Sequence, residues 1–267
     1  MRPPQPTLFV PHGAPTFALH PGAAGNALAA MAATLSAPRA IIIVSAHWDT
    51  AQPTVGFAER PETIHDFWGF PQELDAIRYP ATGCREAAEE IVEALKAAGL
   101  PAATDDHRGL DHGAWIPLRL MFPEADVPVI PLSIQSHGGP QQALRLGQAL
   151  APLAARGFLV IASGNLTHNL RDFQLAWRNG SGTPGYVREF TDWLAAHLAV
   201  GDLPALLDYR RLAPGAIQAH PSDEHLLPLY VALGAAGEKG RADRFHAGID
   251  DYVIAMDAYA FWPQNGG

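Results

Sequence analysis

Three of the twelve histidines in this 267-residue chain directly follow runs that read as β-strands. His12 follows in Phe9-Val10-Pro11-His12-Gly13, His47 in Val44-Ser45-Ala46-His47-Trp48, and His168 in Ser163-Gly164-Asn165-Leu166-Thr167-His168. A neutral imidazole is the commonest side-chain ligand for a metal and exchanges its proton near neutral pH. In a parallel α/β sheet the carboxyl ends of the strands share one edge, and ligands bind in the crevice outside it. Strand-end histidines would converge there without being close in sequence, which is what a metal site requires. Any one of them alone is better explained as a core or turn residue satisfied by a backbone hydrogen bond; their joint placement favours the site. Gly13 and Gly164 permit tight turns beside them, and small Ser45 and Ala46 leave room around His47.

A fourth candidate is His225, expected at the start of a helix because Pro221, Ser222 and Asp223 form a helix-start signal. Glu224 and His225 are adjacent and point about 100° apart on a helix, so only one of them easily faces a given ion. Glu224 with His12 and His47 would make the two-His-one-carboxylate triad of non-haem iron oxygenases, and His225 would make a three-His site. His220 is a weaker candidate in a loop context. His112, in Leu110-Asp111-His112-Gly113-Ala114-Trp115, lies in a loop before an apolar helix start. There it is either pinned by Asp111 or, with a metal nearby, a neutral donor to oxygen. His65 either lines a pocket or braces its loop. The contexts of His20, His107, His137, His197 and His246 suggest surface or structural positions.

The elements that must position these residues follow from apolar patterning. Strands are expected at Thr7 to Val10, Ala40 to Val44, Thr54 to Phe57, Val127 to Leu132, Phe158 to Ala162, Arg244 to Ile249 and Asp251 to Ala258. Helices are expected at Ala24 to Leu35, Gly83 to Ala98, Gly139 to Arg156, Pro184 to Ala199 and Ser222 to Gly234. Such alternation implies βαβ units and a mostly parallel central sheet. The last two strands look like a hairpin, so the sheet should be mixed. The fold class is therefore α/β, with residues 1–267 as a single domain. Two long segments without repetitive pattern, Glu59 to Pro80 and Thr104 to Ile116, carry aromatics that could wall a pocket for a planar substrate.

Bulk composition narrows the function class. With 48% hydrophobic and 17% charged residues the chain can bury a sizeable core. A formal charge of −9, without clustered Lys or Arg, argues against nucleic acid and anionic membrane as partners. No run approaches a membrane span, and the first residues lack an apolar leader. Cys84, the only cysteine, cannot form an intrachain disulfide and is expected at a helix start rather than in catalysis. A cytoplasmic protein is the expectation. Walker, dinucleotide-loop, Gly-x-Ser-x-Gly, Cys-x-x-Cys and His-Glu-x-x-His motifs are all absent.

Several motifs taken in order carry a resemblance. They are Pro11-His12-Gly13-Ala14-Pro15, Ser45-Ala46-His47-Trp48, the Thr63 to Pro71 loop, Asp111-His112-Gly113-Ala114-Trp115, Ser163 to Leu170, and Glu224-His225-Leu226-Leu227-Pro228-Leu229. From about Leu8 to Trp262 the chain resembles the class III extradiol ring-cleaving dioxygenases, in their DOPA 4,5-dioxygenase-like branch. The resemblance implies an α/β fold with one metal in the strand-end crevice. It makes His12, His47 and His225 the ligands, His168 an acid/base close to the metal, and His112 a second catalytic histidine. In related two-subunit enzymes the third ligand is a carboxylate, so Glu224 stays in view. His65, Asp66, Phe67 and Trp115 are the expected substrate-binding residues. Fe(II) is expected for activity and Zn(II) is also found in this branch. The substrates would be a catechol and O2, the product a muconic semialdehyde, and the assembly monomeric or homo-oligomeric. Arg78, Arg108 and Arg171 are candidate partners for a substrate carboxylate. A zinc hydrolase, or a metal-binding protein without catalysis, would use the same histidines.

Overall fold

Ile41, Ile42, Ile43 and Val44 are all fully buried in one strand, although their side chains alternate between the two sheet faces. A strand buried on both faces must be covered by helices on both sides, and the two apolar clusters of the molecule are those two interfaces. One packs Phe9, Ile42, Val44 and Val160, and the other Leu8, Val10, Ile41, Ile43 and Ile161. Each such buried aliphatic side chain contributes roughly 1.5–3 kcal/mol relative to exposure.

The computed structural model describes residues 5–180, 182–237 and 240–263. In chain order the elements are β1 (Thr7–Pro11), α1 (Gly22–Thr34), β2 (Ala40–Asp49), β3 (Thr54–Gly56), α2 (Arg85–Ala97), β4 (Ala103–Asp105), α3 (His112–Met121), β5 (Val129–Ile134), α4 (Gly139–Ala154) and β6 (Phe158–Gly164). They continue with α5 (Leu170–Asn179), α6 (Gly185–Val200), α7 (Leu203–Leu207), α8 (Tyr209–Leu212), α9 (Ala216–Ala219), α10 (Leu227–Ala235), β7 (Arg241–His246), β8 (Ile249–Asp250), β9 (Ile254–Ala255) and β10 (Ala258–Trp262). Among the described residues the main sheet has eight strands in the order β4-β3-β5-β2-β6-β1-β10-β7. β2 runs parallel to β5 and β6, and β6 runs parallel to β1. β10 is antiparallel to both its neighbours, β1 and β7. The expected mixed, mostly parallel α/β sheet is present. No described helix is long and apolar enough to cross a membrane.

Three differences from the sequence expectation have physical reasons. The helix expected from Ser222 begins only at Leu227, and residues 222–226 form bends and turns. The His225 carbonyl accepts from Asn165 N–H at 3.0 Å, so this stretch presents its backbone to the strand-end loop. The expected pairing of Arg244–Ile249 with Asp251–Ala258 survives only as the short β8–β9 ladder. Asp251 and Tyr252 turn at φ +50° and +67°, and the buried run Ala258–Phe261 takes the long pairing with β7 instead. Finally, His112 is not in a loop but is the first residue of α3, whose N-terminus is capped by the Asp111 carboxylate accepting from Ala114 N–H at 3.1 Å.

The two long segments zip together. Ile64 N–H donates to Leu110 O at 2.7 Å, and Leu110 N–H donates to Glu62 O at 2.7 Å. This ladder fixes residues 62–67 over the start of α3. On the other side of the crevice, a Cβ at Gly164 would lie 2.2 Å from the His225 carbonyl oxygen. Gly164→Ala must push that loop away, at a cost of about 1–3 kcal/mol. In a chain of this size the thermal midpoint should drop by roughly 2–4 °C for each kcal/mol. An unchanged midpoint in a calorimetric scan would show that the close approach carries no constraint.

Candidate metal centre

The ends of β2, β6 and β1 lie side by side because those strands are parallel neighbours. His12 is the first residue beyond β1, His47 lies near the end of β2, and the 222–226 turn brings His225 over the end of β6. His47 Nε2 lies 3.2 Å from His12 Nε2 and 3.2 Å from His225 Nε2. Imidazole nitrogens bound to one ion at about 2.0–2.1 Å sit about 3 Å apart. The spacing is that of a ligand set. The ligand atoms of His12, His47 and His112 lie within 4.8 Å of one another, as do those of His168, Glu224 and His225. The two groups meet at the His47–His225 contact.

What the other ring nitrogens do decides which protonation state faces inward. His225 Nδ1 sits 3.1 Å from Glu224 Oε1, so the carboxylate accepts from Nδ1–H and the ring keeps a lone pair on Nε2. The Glu224 carboxylate, the alternative third ligand, is therefore turned onto the back of His225. His12 Nδ1 pairs with Ser163 Oγ at 2.9 Å. The Asn165 amide is oriented by Gly13 N–H donating to Oδ1 at 3.1 Å, so its Nδ2 donates towards a bare His12 Nε2 at 3.2 Å. Asp66 Oδ2 lies 3.5 Å from His47 Nδ1. With lone pairs on all three inner nitrogens the rings would repel one another at this distance, and a cation between them would remove the repulsion. The donor set fits a divalent transition metal, for which imidazole suits Fe and Zn alike.

Burial keeps these rings neutral. Desolvation, reinforced by the neighbouring histidines, pushes His12 and His225 well below the usual histidine pKa. For the same reasons His47 and His168 each fall to about 3. Burial alone would raise Asp66, but hydrogen bonds from His112 outweigh it and bring the carboxyl to about 2.

His168 stacks on His225 with ring centroids 3.4 Å apart and planes 8° from parallel. Its loop is clamped from below. His168 N–H donates to Ala219 O at 2.8 Å, His220 Nε2–H donates to Leu166 O at 2.8 Å, and Thr167 Oγ1 donates to Val253 O at 2.6 Å. His220 is thus a buried brace, held to about 3 by desolvation. No sequence signal marked it as such. His112 lies across the site, 4.0 Å from His47 between ring centroids, with Nδ1 donating to Asp66 Oδ1 at 2.9 Å.

The four expected pocket residues occupy different situations. Phe67 packs edge-on against His112 at 5.6 Å and against His65 at 5.7 Å. His65 Nε2 pairs with Ile77 O at 3.1 Å. Fully buried Trp115 donates its indole N–H to Ile64 O at 3.0 Å and so supports the loop from beneath. Asp66 turns its carboxylate onto the histidines. Of the three arginines, Arg108 is held by Asp111 Oδ2 at 2.5 Å and lies over Trp48, and Arg78 donates to Asp75 O and Ile77 O. Arg171 is exposed in the first turn of α5.

Residues 14–256 match the family described as the catalytic LigB subunit of aromatic ring-opening dioxygenase, a span that takes in His47, His112, His168 and His225. A 4,5-DOPA dioxygenase extradiol from Beta vulgaris is 42% identical over 230 residues, covering 84% of this chain and 83% of that protein. A protein of the same description from Escherichia coli is 38% identical over 235 residues, covering 86% and 84%. The crystal structure of an uncharacterized protein from Escherichia coli superposes with a TM-score of 0.79 at 30% identity, over 96% of this chain and 99% of that one. With the histidine cluster in the strand-end crevice and a family match over nearly its whole length, the chain belongs to the LigB family of aromatic ring-opening dioxygenases, in its extradiol division.

Proposed function

We propose that this protein, a single catalytic domain over residues 1–267, uses Fe(II) to open the ring of a DOPA-like catechol with O2, giving a muconic semialdehyde. In this reading His12, His47 and His225 hold the metal, His168 moves protons, and His112 contacts the reacting oxygen. One observation carries it: the two 3.2 Å Nε2–Nε2 spacings among buried histidines whose outer nitrogens face Ser163, Asp66 and Glu224. The relatives named for extradiol cleavage of 4,5-DOPA support the substrate class.

Bound iron would supply the one-electron chemistry that allows O2 to react with a catechol, and would hold both reactants. The chain does the rest. Desolvation keeps the ring of His168 neutral, so that a ring nitrogen is free to take a phenolic proton. A charged ring is costly in that setting, so the proton is readily returned later in the cycle. His112, whose Nδ1–H is given to Asp66, offers Nε2 as an acceptor and donates from it only after taking up a proton. Phe67 covers His112 and leaves an apolar surface for a planar ring.

Protein reconstituted with Fe(II) should consume O2 in the presence of a DOPA-like catechol and produce a yellow ring-fission product. The same protein loaded with Zn(II) should do neither, because zinc has no accessible redox change. Failure of the iron form with every catechol in an oxygen-electrode screen would sink this reading. His47→Ala should lose most of its metal by elemental analysis. His168→Ala should keep its metal while turnover falls by roughly 10²- to 10⁴-fold; loss of metal instead would make His168 a ligand.

The depressed pKa values set a pH prediction. With His47 near 3 and His12 and His225 lowered by burial, protons compete poorly for the ligand nitrogens at and below neutrality. Metal content measured after equilibration should therefore stay flat as pH falls through about 6.5, the unperturbed histidine value. Release with a midpoint near that value would mean exposed, ordinary imidazoles.

A further inference from the structure

We infer that Asp66 is a positioning residue: its single carboxylate keeps the Nδ1 protons of His112 and His47 on their outer edges, so that both rings turn Nε2 towards the proposed metal centre. Resting on the metal reading above, this adds a control point that lies in the 59–80 segment rather than at any strand end. Asp66 Oδ1 accepts from His112 N–H at 2.9 Å and from His112 Nδ1 at 2.9 Å. Its Oδ2 lies 3.5 Å from His47 Nδ1, too long for a strong hydrogen bond but close enough to favour a proton on that edge. The His112 and His47 rings are 4.0 Å apart, so one carboxylate spans both.

The backbone contact matters as much as the ring contacts. His112 N–H opens α3 and is one of the donors that a helix cannot satisfy internally. Asp111 caps the Ala114 N–H from within the chain's own turn, and Asp66 takes the His112 N–H from a segment 46 residues away. The helix start, the His112 ring and the His47 ring are thereby tied to one group. That group cannot drift, because its neighbours are all fixed. Ile64 pairs with Leu110 and accepts from the Trp115 indole, His65 bonds Ile77 O, and Phe67 packs on His112. Among the described residues no other side chain partners the Nδ1 of either ring.

A neutral imidazole has one proton to place. If it sits on Nδ1, Nε2 is a lone pair; if it moves to Nε2, the ring can no longer ligate through that atom. Removing the carboxylate frees the rings to take the other tautomer, and metal affinity should fall by roughly 10- to 100-fold, the usual effect of losing a carboxylate behind a ligating histidine.

The test begins with wild-type, metal-free protein carrying ¹⁵N-labelled histidine. Long-range ¹H–¹⁵N correlation should give His112 as the Nδ1–H tautomer; finding it as Nε2–H overturns the proposal without any variant. Asp66→Asn and Asp66→Ala are then titrated with Co(II) against a chelator. Both should bind more weakly than wild type, the alanine variant the more so, with the His112 signal shifted towards Nε2–H. A lower thermal midpoint with unchanged tautomers and unchanged Co(II) affinity would reduce Asp66 to a loop brace and overturn the inference. Wild-type protein that binds no Co(II) or Zn(II) would strike the metal reading itself, and the NMR arm would still decide Asp66.

Discussion

The site depends on a crowding of imidazole nitrogens. His47 brings its Nε2 to within 3.2 Å of the same atom on His12 and on His225, in a crevice where burial forbids any of the rings a charge. Imidazoles left to themselves would rotate or protonate to relieve such crowding. Here each has its own partner on the outer side: a serine hydroxyl behind His12, an aspartate near the back of His47, a glutamate behind His225. An acceptor behind a ring favours the proton on that outer nitrogen and a lone pair on the inner one. Charge on the surroundings is also arranged to suit a cation, since two of the three outer partners are carboxylates.

The fold makes this arrangement affordable by separating the task of rigidity from the task of chemistry. β2, β6 and β1 are buried on both faces by helices, so their ends are fixed to the precision of a packed core. His12 and His47 inherit that precision directly. His225 and His168 do not belong to strands, and each is held by backbone hydrogen bonds to a neighbouring loop: the His225 carbonyl to Asn165 N–H, and His168 N–H to the Ala219 carbonyl. The fourth wall comes from α3, whose first residue is itself His112. Five segments distant in sequence therefore meet within the reach of one small molecule.

Much of this was legible before any coordinates. Strand-end histidines report their destination because a parallel sheet gathers strand ends, and the apolar runs before His12 and His47 were unambiguous. The neighbours of the histidines were less so. Ser222 and Asp223 carry a genuine helix-start signal, yet the helix begins at Leu227, because the strand-end loop needs the His225 carbonyl. Asp66 and Trp115 look like pocket residues in sequence, where an acid and an aromatic beside histidines invite that reading. Only the spatial pairing of the two long segments shows that Trp115 bonds Ile64 O and that Asp66 reaches back to His112. His220 reads in sequence only as a weak candidate in a loop, since a buried histidine bonding a carbonyl 54 residues away has no local pattern.

The placement of β1 has a consequence for how the molecule assembles. This strand lies between β6 and β10, and its register pairs Leu8 with Ile161 on one side and with Ala260 on the other. The partners of β1 therefore lie far along the chain from it, and pairings of such sequence separation form slowly. Until then Leu8, Phe9 and Val10 have no neighbours to cover them, and His12 has neither Ser163 nor Asn165 to orient it. The histidine crevice is accordingly among the last parts of the molecule to acquire its shape as the chain folds.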